Sequence, residues 1–264
     1  MARKPLSQLF DIEENTESVE KQFLTDLCRS IEITNKKNQR PSSLSYKPSS
    51  MNCIRSMYFQ VTGAPVDEGV APYGLVGICN SGSDIHERTQ KYVDDMKNNG
   101  YDCEYINVAD YVKSRNLDYL EIVEQCGMET KLYHKDLNIR FLCDGVIKYR
   151  GKYYILELKT EASFKFVARK GVDPKHYHQG ICYSVALGID NVIFVYISRD
   201  VLDMKSYMFT PTQKQKDDLI ALIKSCDEYV EKCELPPKPA KLPKGTCNYC
   251  AYLGLCSQYP NPTE

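Results

Sequence analysis

The stretch that decides the fold is "FLCDGVIKYRGKYYILELKT", residues 141–160, in which two apolar, strand-like runs each carry an acidic residue. Between the runs, Arg150 and Gly151 predict a two-residue turn, since the tight turns of antiparallel hairpins favour glycine. Counting outward from that turn places Asp144 directly opposite Glu157. Opposed residues on one face have Cβ atoms about 4.5–5.5 Å apart, so two carboxylates there would repel each other. A divalent cation between them would neutralise the repulsion.

A lysine accompanies the two acids. The two-residue period of a strand places Glu157 and Lys159 on one face with Ile155, and Leu156 and Leu158 on the other. Carboxylate oxygens suit Mg²⁺ or Mn²⁺, and a lysine beside the ion can orient or deprotonate a water and stabilise the charge that develops on a phosphate. This combination indicates phosphodiester hydrolysis. The alternative is a solvent-exposed sheet face on which the acids and the lysine pair with one another.

Length and composition bound the class of protein. At 264 residues and 42% hydrophobic, the chain is long enough for one large soluble domain or a domain with appendages. Residues 1–10 are basic but are followed by an acidic run, and no stretch approaches the ~20 apolar residues of a membrane span, so we expect neither a signal peptide nor a membrane protein. The 12 cysteines then indicate a reducing compartment, the cytoplasm, where thiols stay free or bind metal.

The order of predicted elements indicates an α/β fold with a central mixed sheet flanked by helices. A helix that begins at Ser81 or Ser83 and ends at Gly100 would place His86 in its first turn. The other predicted elements are helices at 13–31, 117–126, 173–188 and 211–233, strands at 128–134, 138–149, 152–160 and 191–198, and a polar Ser/Pro linker after the first helix.

The order of the polar residues resembles that of the PD-(D/E)xK nuclease superfamily, in its RecB-like branch. The resemblance covers residues 45–256, and Cys143 stands where the superfamily's name has proline. The matching residues are His86 in "GSDIHE", Asp144 in "CDG", Glu157 and Lys159 in "ELK", and Gln179 and Tyr183 in "QGICY".

This resemblance implies a restriction-endonuclease-like core and a role for each matching residue. It implies that His86, Asp144, Glu157 and the Leu158 carbonyl ligate Mg²⁺ or Mn²⁺ and that Lys159 is catalytic. It also implies that Gln179 and Tyr183 hold the site and the DNA; they are i,i+4 neighbours on one helix face. Glu129, on the preceding strand, could reach the metal through an outer-shell contact.

The C-terminal "CNYCAYLGLC" carries Cys247, Cys250 and Cys256 in a C-x2-C-x5-C pattern, so a fourth ligand must come from a distant segment. The segment around Cys53, "PSSMNCIRSMYF", resembles the one that supplies the first cysteine in RecB-like nucleases with an iron-sulfur cluster. Those are the AddB-type helicase-nucleases and the CRISPR-associated protein 4 family, and the length of the chain fits the latter. The resemblance implies a [4Fe-4S] cluster, with zinc or free thiols as alternatives.

The expected domain organisation follows from that cluster. Residues 1–44 would form an N-terminal helix and linker, and residues 45–264 the RecB-like nuclease domain. Within the domain, residues 45–60 and 234–264 would form a subdomain that the cluster clasps together.

A local basic excess adjoins the predicted site, although the formal net charge of the chain is -1. The candidate phosphate contacts are Lys165, Arg169, Lys170 and Lys175, with Arg55 beside the cluster cysteine. Phe164, Phe166 or Tyr177 could stack on unpaired bases, and His176 and His178 would face DNA or be structural. Alternatively, the aromatic residues belong to the core and the charges to a solvated face.

The resemblance implies a metal-dependent exonuclease that cleaves single-stranded DNA ends, often from the 5′ side. The setting would be a prokaryotic cell or a phage-infected host. The work would be CRISPR spacer processing with an integrase, or DNA recombination, repair or replication with recombination proteins. The alternatives are a structure-specific endonuclease and a non-catalytic DNA-end-binding or integrase-adaptor protein. The sequence leaves oligomeric state and cut-site preference open.

Overall fold

The computed structural model describes residues 18–38, 43–67, 69 and 71–261, except for the side chain of Tyr249. The chain divides into two compact units, one made of Met1–Arg40 with Gly69–Cys79, the other of Pro41–Glu68 with Asn80–Glu264. The expected N-terminal helix at 13–31 is found at Val19–Lys37, and residues 13–17 lie outside the described residues.

The helices and strands follow one another along the whole described chain. The helices are α1 (Val19–Lys37), α2 (Ile54–Val61), α3 (Tyr73–Asn98), α4 (Val108–Ser114), α5 (Ser163–Ala168), α6 (Tyr177–Leu187), α7 (Gln213–Glu231) and α8 (Leu253–Ser257). The strands are β1 (Cys103–Ile106), β2 (Leu120–Cys126), β3 (Glu129–His134), β4 (Ile139–Cys143), β5 (Gly145–Tyr149), β6 (Lys152–Glu161), β7 (Val192–Ser198) and β8 (Met204–Phe209). Short 3₁₀ turns lie at Pro48–Ser50, Pro174–His176 and Cys247–Tyr249.

The central sheet has the strand order β1-β5-β6-β7-β8 and is mixed, because β6 and β7 run parallel whereas the other neighbouring pairs run antiparallel. Leu156 and Leu158 pack on one face with Val93 and Met96 of α3. Ile155 belongs to the larger core that includes residues of α6. The sheet is therefore flanked by helices, which confirms the predicted α/β class and the predicted alternation of β6.

The predicted hairpin turn is confirmed. Arg150 and Gly151 have positive φ angles of 49° and 77°, and Tyr149 pairs with Lys152 across the turn. Two consecutive residues with positive φ are the signature of a hairpin turn whose twist matches that of the flanking strands. The register counted from the sequence is therefore the register of β5 and β6.

Asp144 interrupts what the sequence predicted as one strand at 138–149. β4 ends at Cys143 and belongs to a separate three-stranded antiparallel sheet, β2-β3-β4, whereas β5 begins at Gly145 in the central sheet. Pairing between β5 and β6 ends at Gly145 and Leu156, so Asp144 is not a ladder partner of Glu157. The physical reason lies in other contacts of Asp144, whose carbonyl accepts hydrogen bonds from Gln90 and Tyr105, both outside the hairpin.

Two further predictions are wrong. Residues 117–126 do not form a helix, because Leu120–Cys126 pairs with β3 across a register shift between Ile122 and Glu124. α3 begins at Tyr73, so Ser81 and Ser83 lie inside the helix rather than at its cap, and His86 lies mid-helix rather than in the first turn.

The helix predicted at 173–188 is confirmed at its C-terminal end, where Gly188 follows α6 at φ +65°. At the other end, Asp173 caps a 3₁₀ turn by accepting a hydrogen bond from the Lys175 amide, and α6 begins only at Tyr177. Among the described residues, no helix is long and apolar enough to cross a membrane.

Candidate metal centre and cysteine site

Asp144 lies between the two sheets with both carboxylate oxygens in use. Its Oδ2 accepts a hydrogen bond of 2.6 Å from the backbone N–H of Leu158, and its Oδ1 lies 3.5 Å from Nδ1 of His86 on α3. Burial lowers the pKa of His86, but the adjoining Asp144 carboxylate outweighs that effect and holds the His86 pKa above its usual value. A cation bound at Oδ1 would thus replace the imidazole proton as the partner of Asp144.

Glu129 completes a group of three candidate ligands. The ligand atoms of His86, Glu129 and Asp144 all lie within 4.8 Å of one another. An octahedral shell with oxygen ligands at 2.0–2.1 Å spans up to about 4.2 Å, so small rearrangements would close this group around Mg²⁺ or Mn²⁺. Burial, followed by the charge of Asp144, raises the pKa of Glu129. The structure therefore brings Glu129 closer than the outer-shell contact expected from the sequence.

Glu157 is the most deeply buried acid of the site, at 2% exposure. Its Oε1 accepts hydrogen bonds from Lys159 Nζ and Gln179 Nε2, at 2.5 and 2.6 Å, whereas its buried Oε2 has no hydrogen-bond partner among the described residues. Burial, and then the charge of Asp144, raises the pKa of Glu157 to about 8. A buried acceptor without a partner is costly, so the oxygen fits the binding of a cation.

A chain of hydrogen bonds connects β6 to α6. Lys159 Nζ donates to Gln179 Oε1 at 2.9 Å, Gln179 Nε2 donates to Tyr183 Oη at 2.8 Å, and Tyr183 donates to the Leu142 carbonyl at 2.9 Å. The prediction that Gln179 and Tyr183 point at the hairpin is confirmed. Their contacts fix the Lys159 ammonium group beside Glu157.

Two positioning residues were missed by the sequence reasoning. Gln90 is 1% exposed, and its Nε2 lies 2.7 Å from the Asp144 carbonyl and 3.3 Å from Glu129 Oε1. Tyr105 Oη donates to the same carbonyl at 2.6 Å. Gln90 follows His86 by four residues and so shares its helix face, which is a signal that sequence reasoning could have used. Tyr105 carries no such signal.

The four predicted cysteines come from the two ends of residues 45–264. Cys53 precedes α2, Cys247 begins a 3₁₀ turn that Cys250 follows, and Cys256 lies in α8. All four are half-buried. Burial raises the pKa of Cys53, and so does the proximity of Cys250 and Cys256, against the opposing effect of backbone N–H groups. Four thiols suit either an iron-sulfur cluster or zinc in chemistry. Among the described residues, however, the ligand atoms that gather within 4.8 Å of one another are those of His86, Glu129 and Asp144, and no three of these sulfur atoms do so.

Two predicted phosphate contacts, Arg55 and Arg169, are not available to DNA. Arg55 is 3% exposed and donates to groups of the C-terminal segment. Arg169 forms a bidentate pair with Glu161, both distances being 2.6 Å, and lies 4.0 Å above the Tyr196 ring. In both cases acceptors of the protein itself already bind the guanidinium group, which argues against the predicted phosphate contacts.

The other candidate DNA contacts separate by exposure. Lys165 and Lys170 are exposed, Lys175 is half-buried, and Phe164 is 73% exposed. Phe166 is buried, and Tyr177 stacks on Phe209 with ring centroids 5.0 Å apart, so these two belong to the core.

The neighbouring histidines are structural. His176 Nδ1 lies 2.9 Å from Tyr196 Oη, and burial, with a contribution from Lys159, lowers the pKa of His176 to about 3. His178 Nδ1 lies 3.0 Å from Asn52 Oδ1. Both rings therefore already have polar partners within the protein.

Comparison with known proteins finds only distant likeness, among solved structures. No family model matches the chain, and no curated protein matches it. A solved structure titled "Crystal structure of SSO0001" aligns with 88% of this chain and 96% of its own, at 14% sequence identity and a TM-score of 0.46. The function therefore has to be inferred from the geometry of the site.

Proposed function

We propose that the protein is a metal-dependent deoxyribonuclease of the RecB-like PD-(D/E)xK type that degrades single-stranded DNA from its ends. The observation that carries the proposal is the meeting of His86, Glu129 and Asp144 beside the unpartnered buried oxygen of Glu157. A solvated acidic face would leave each carboxylate hydrated. Here the acids are half-buried or buried, and burial together with the charge of Asp144 raises the pKa values of Glu129 and Glu157.

The residues that would hold Mg²⁺ or Mn²⁺ are those that surround Asp144. The cation, when bound, supplies positive charge to a phosphate and acidity to a water. The proposed ligands are the side chains of His86, Asp144 and Glu157 and the Leu158 carbonyl, to which the structure adds Glu129 as a candidate.

Lys159 has the position that the chemistry requires. Its ammonium group is held by Glu157 and Gln179 on the metal-binding side of β6, at 21% side-chain exposure, so a phosphate or a water can reach it. There it orients the attacking water and offers charge to a phosphate oxygen. Gln179 and Tyr183 act as positioning residues, because their hydrogen bonds determine where the ammonium group lies.

The DNA would approach along α5, which begins two residues after β6 ends. Lys165 and Lys170 expose their charges there, and Phe164 exposes its ring. Basic side chains bind phosphates, and an exposed ring stacks on an unpaired base without selecting its sequence. This pairing of charge and aromatic surface favours single-stranded DNA.

The four cysteines are proposed to hold a [4Fe-4S] cluster, with zinc as the lesser alternative. The donors, four thiolates from Cys53, Cys247, Cys250 and Cys256, suit either group. The cluster would clasp residues 45–60 to residues 234–264 rather than take part in hydrolysis. The proposed setting is that of the CRISPR-associated protein 4 family: spacer processing with an integrase, or recombination and repair in a host or phage.

The test is digestion of end-labelled DNA by the purified protein. We expect single-stranded DNA to be shortened from its 5′ end with Mn²⁺ or Mg²⁺, and circular single-stranded DNA to resist. Lys159→Ala should lower the rate about 10²–10⁴-fold. Lys214→Ala, at an exposed lysine paired with Asp218, is the matched control and should leave the rate unchanged. Full metal-dependent activity of Lys159→Ala would refute the site, and cleavage of circles would indicate an endonuclease.

A further inference from the structure

Arg55 is a buried cation whose hydrogen bonds all lead to the C-terminal segment. At 3% exposure, its Nε donates to the Pro236 carbonyl at 2.9 Å, its Nη1 to the Tyr259 carbonyl at 2.5 Å, and its Nη2 to Asn261 Oδ1 at 2.9 Å. Burying a guanidinium group is costly unless its donors are used. These contacts join the start of α2 to residues on both sides of the three C-terminal cysteines.

One contact of Arg55 reaches the cysteine site itself. Nη1 lies 3.8 Å from Sγ of Cys256, and Arg55 follows Cys53 by two residues. The other acceptors of Arg55 are carbonyl or amide oxygens, which carry no net charge. Among the acceptors that the structure describes for Arg55, the Cys256 sulfur is the one that can become an anion.

Asp67 holds the same segment from a second point. Its carboxylate accepts hydrogen bonds from the amides of Gly254 and Leu255, at 2.6 and 3.1 Å, and its own amide donates to the Ala251 carbonyl at 2.7 Å. Hydrogen bonds with Asp67 therefore hold the backbone between Cys250 and Cys256.

We propose that Arg55 is a positioning residue for the four-cysteine site. It fixes the C-terminal cysteine segment against α2 and offsets the negative charge of the Cys256 thiolate. The inference rests on the proposed cysteine cofactor but not on the proposed nuclease activity. The sequence had suggested that Arg55 binds DNA, whereas the inference gives it a structural role at the cysteine site.

The test compares Arg55→Gln with Arg55→Lys and the wild-type chain. Iron, sulfide and zinc are counted per chain, and the loss of cofactor to a chelator is followed with time. We expect Arg55→Gln to lose the cofactor about tenfold faster than the wild type, which corresponds to ~1.4 kcal/mol. Arg55→Lys, which keeps the charge but not the fork of donors, should lie between them. Arg29→Gln, at an exposed arginine of α1, is the matched control.

A second readout does not depend on the cofactor. Hydrogen exchange of residues 250–259 in the stripped protein should quicken in Arg55→Gln. Wild-type kinetics in both readouts would overturn the proposal. If Arg55→Gln does not fold, Asn261→Ala removes one acceptor of the guanidinium and must quicken both processes, or the proposal fails.

The two proposals fail separately. A wild-type chain without iron or zinc at its cysteines, and with unchanged exchange in the variants, overturns the Arg55 proposal. DNA digestion is measured in the same preparations, so an inactive chain whose cofactor still depends on Arg55 overturns only the nuclease proposal.

Discussion

The carboxylate of Asp144 accepts a 2.6 Å hydrogen bond from the backbone amide of Leu158, the residue between Glu157 and Lys159. This bond sets the position of one acid relative to the strand that carries the other acid and the lysine. Because the donor is a backbone group, the relationship does not depend on the side chain at 158. It leaves Oδ1 of Asp144 directed towards His86.

Asp144→Asn separates the charge of this residue from its role in folding. The amide oxygen can still accept from the Leu158 amide, so we expect the variant to fold. Loss of the anion should reduce Mn²⁺ affinity and nuclease activity by about 100-fold or more. Calorimetric titration with Mn²⁺ measures the change, and Asp118→Asn, at an exposed position, is the control. If Asp144→Asn bound Mn²⁺ with wild-type affinity, Asp144 would not be a metal ligand.

Glu157 makes the stability of the metal-free protein depend on pH. Its pKa is about 8 in the folded chain against an ordinary 4.5, so the folded state holds this proton more tightly than the unfolded state. The stability that this proton confers is complete below pH 4.5 and is lost as the pH rises through about 8. Each unit of difference between the folded and unfolded pKa values corresponds to ~1.4 kcal/mol of stability.

Urea unfolding between pH 5 and pH 9 checks this prediction. Glu157→Gln should flatten the decline, because the variant has no proton to lose at this position. Mn²⁺ should restore the stability of the wild type at pH 8, where it replaces the proton. A decline of equal slope in Glu157→Gln would assign the pH dependence to other groups.

Glu129 is a candidate metal ligand in the structure but was not one of the ligands that the resemblance implied. Its ligand atom lies within 4.8 Å of those of His86 and Asp144, so Glu129→Gln should weaken Mn²⁺ binding about 100-fold. Titration of the variant beside Glu121→Gln, an exposed acid on β2, gives the comparison. Equal affinities in the two variants would return Glu129 to a purely structural role.

Lys170 and Arg169 are neighbours with opposite expected effects. Lys170 is exposed, so Lys170→Ala should weaken DNA binding and leave the free energy of unfolding unchanged. The dependence of the binding constant on salt concentration should fall by the equivalent of about one phosphate contact. Arg169→Ala leaves Glu161 buried without its partner and should cost on the order of 3 kcal/mol of stability. Binding titrations in several salt concentrations, together with urea unfolding, separate the two. Equal losses of stability in Lys170→Ala and Arg169→Ala would contradict the structural role of Arg169.

Local patterns predicted the parts of the fold whose causes are local. The turn at Arg150 and Gly151 and the alternation of β6 depend on neighbouring residues alone, so the register of the hairpin could be counted. The same holds for Gln179 and Tyr183, whose i,i+4 spacing places them on one face. The resemblance then brought His86 to the site, although the limits of its helix were predicted wrongly.

The rest depended on contacts between distant residues. Nothing near Asp144 indicates that Tyr105 and Gln90 bind its carbonyl and draw it out of the strand. The register shift in β2 hides its two-residue period, which explains the wrong helix there. The charge of Arg169 is visible in the sequence, but its pairing with Glu161, a residue of β6, is not. The sequence therefore predicted a phosphate contact at Arg169, where the folded chain has an ion pair.

Asp144 is the single residue between the last position of β4 and the first position of β5, and this limits how the gene can change. A codon gained or lost there would preserve the hydrogen bonds of one sheet only by moving the carboxylate away from Leu158 and His86. The connection between β7 and β8, residues 199–203, has exposed apolar and polar side chains and can absorb length changes without such a cost. Insertions and deletions should therefore be tolerated in that connection and eliminated at the junction of the two sheets.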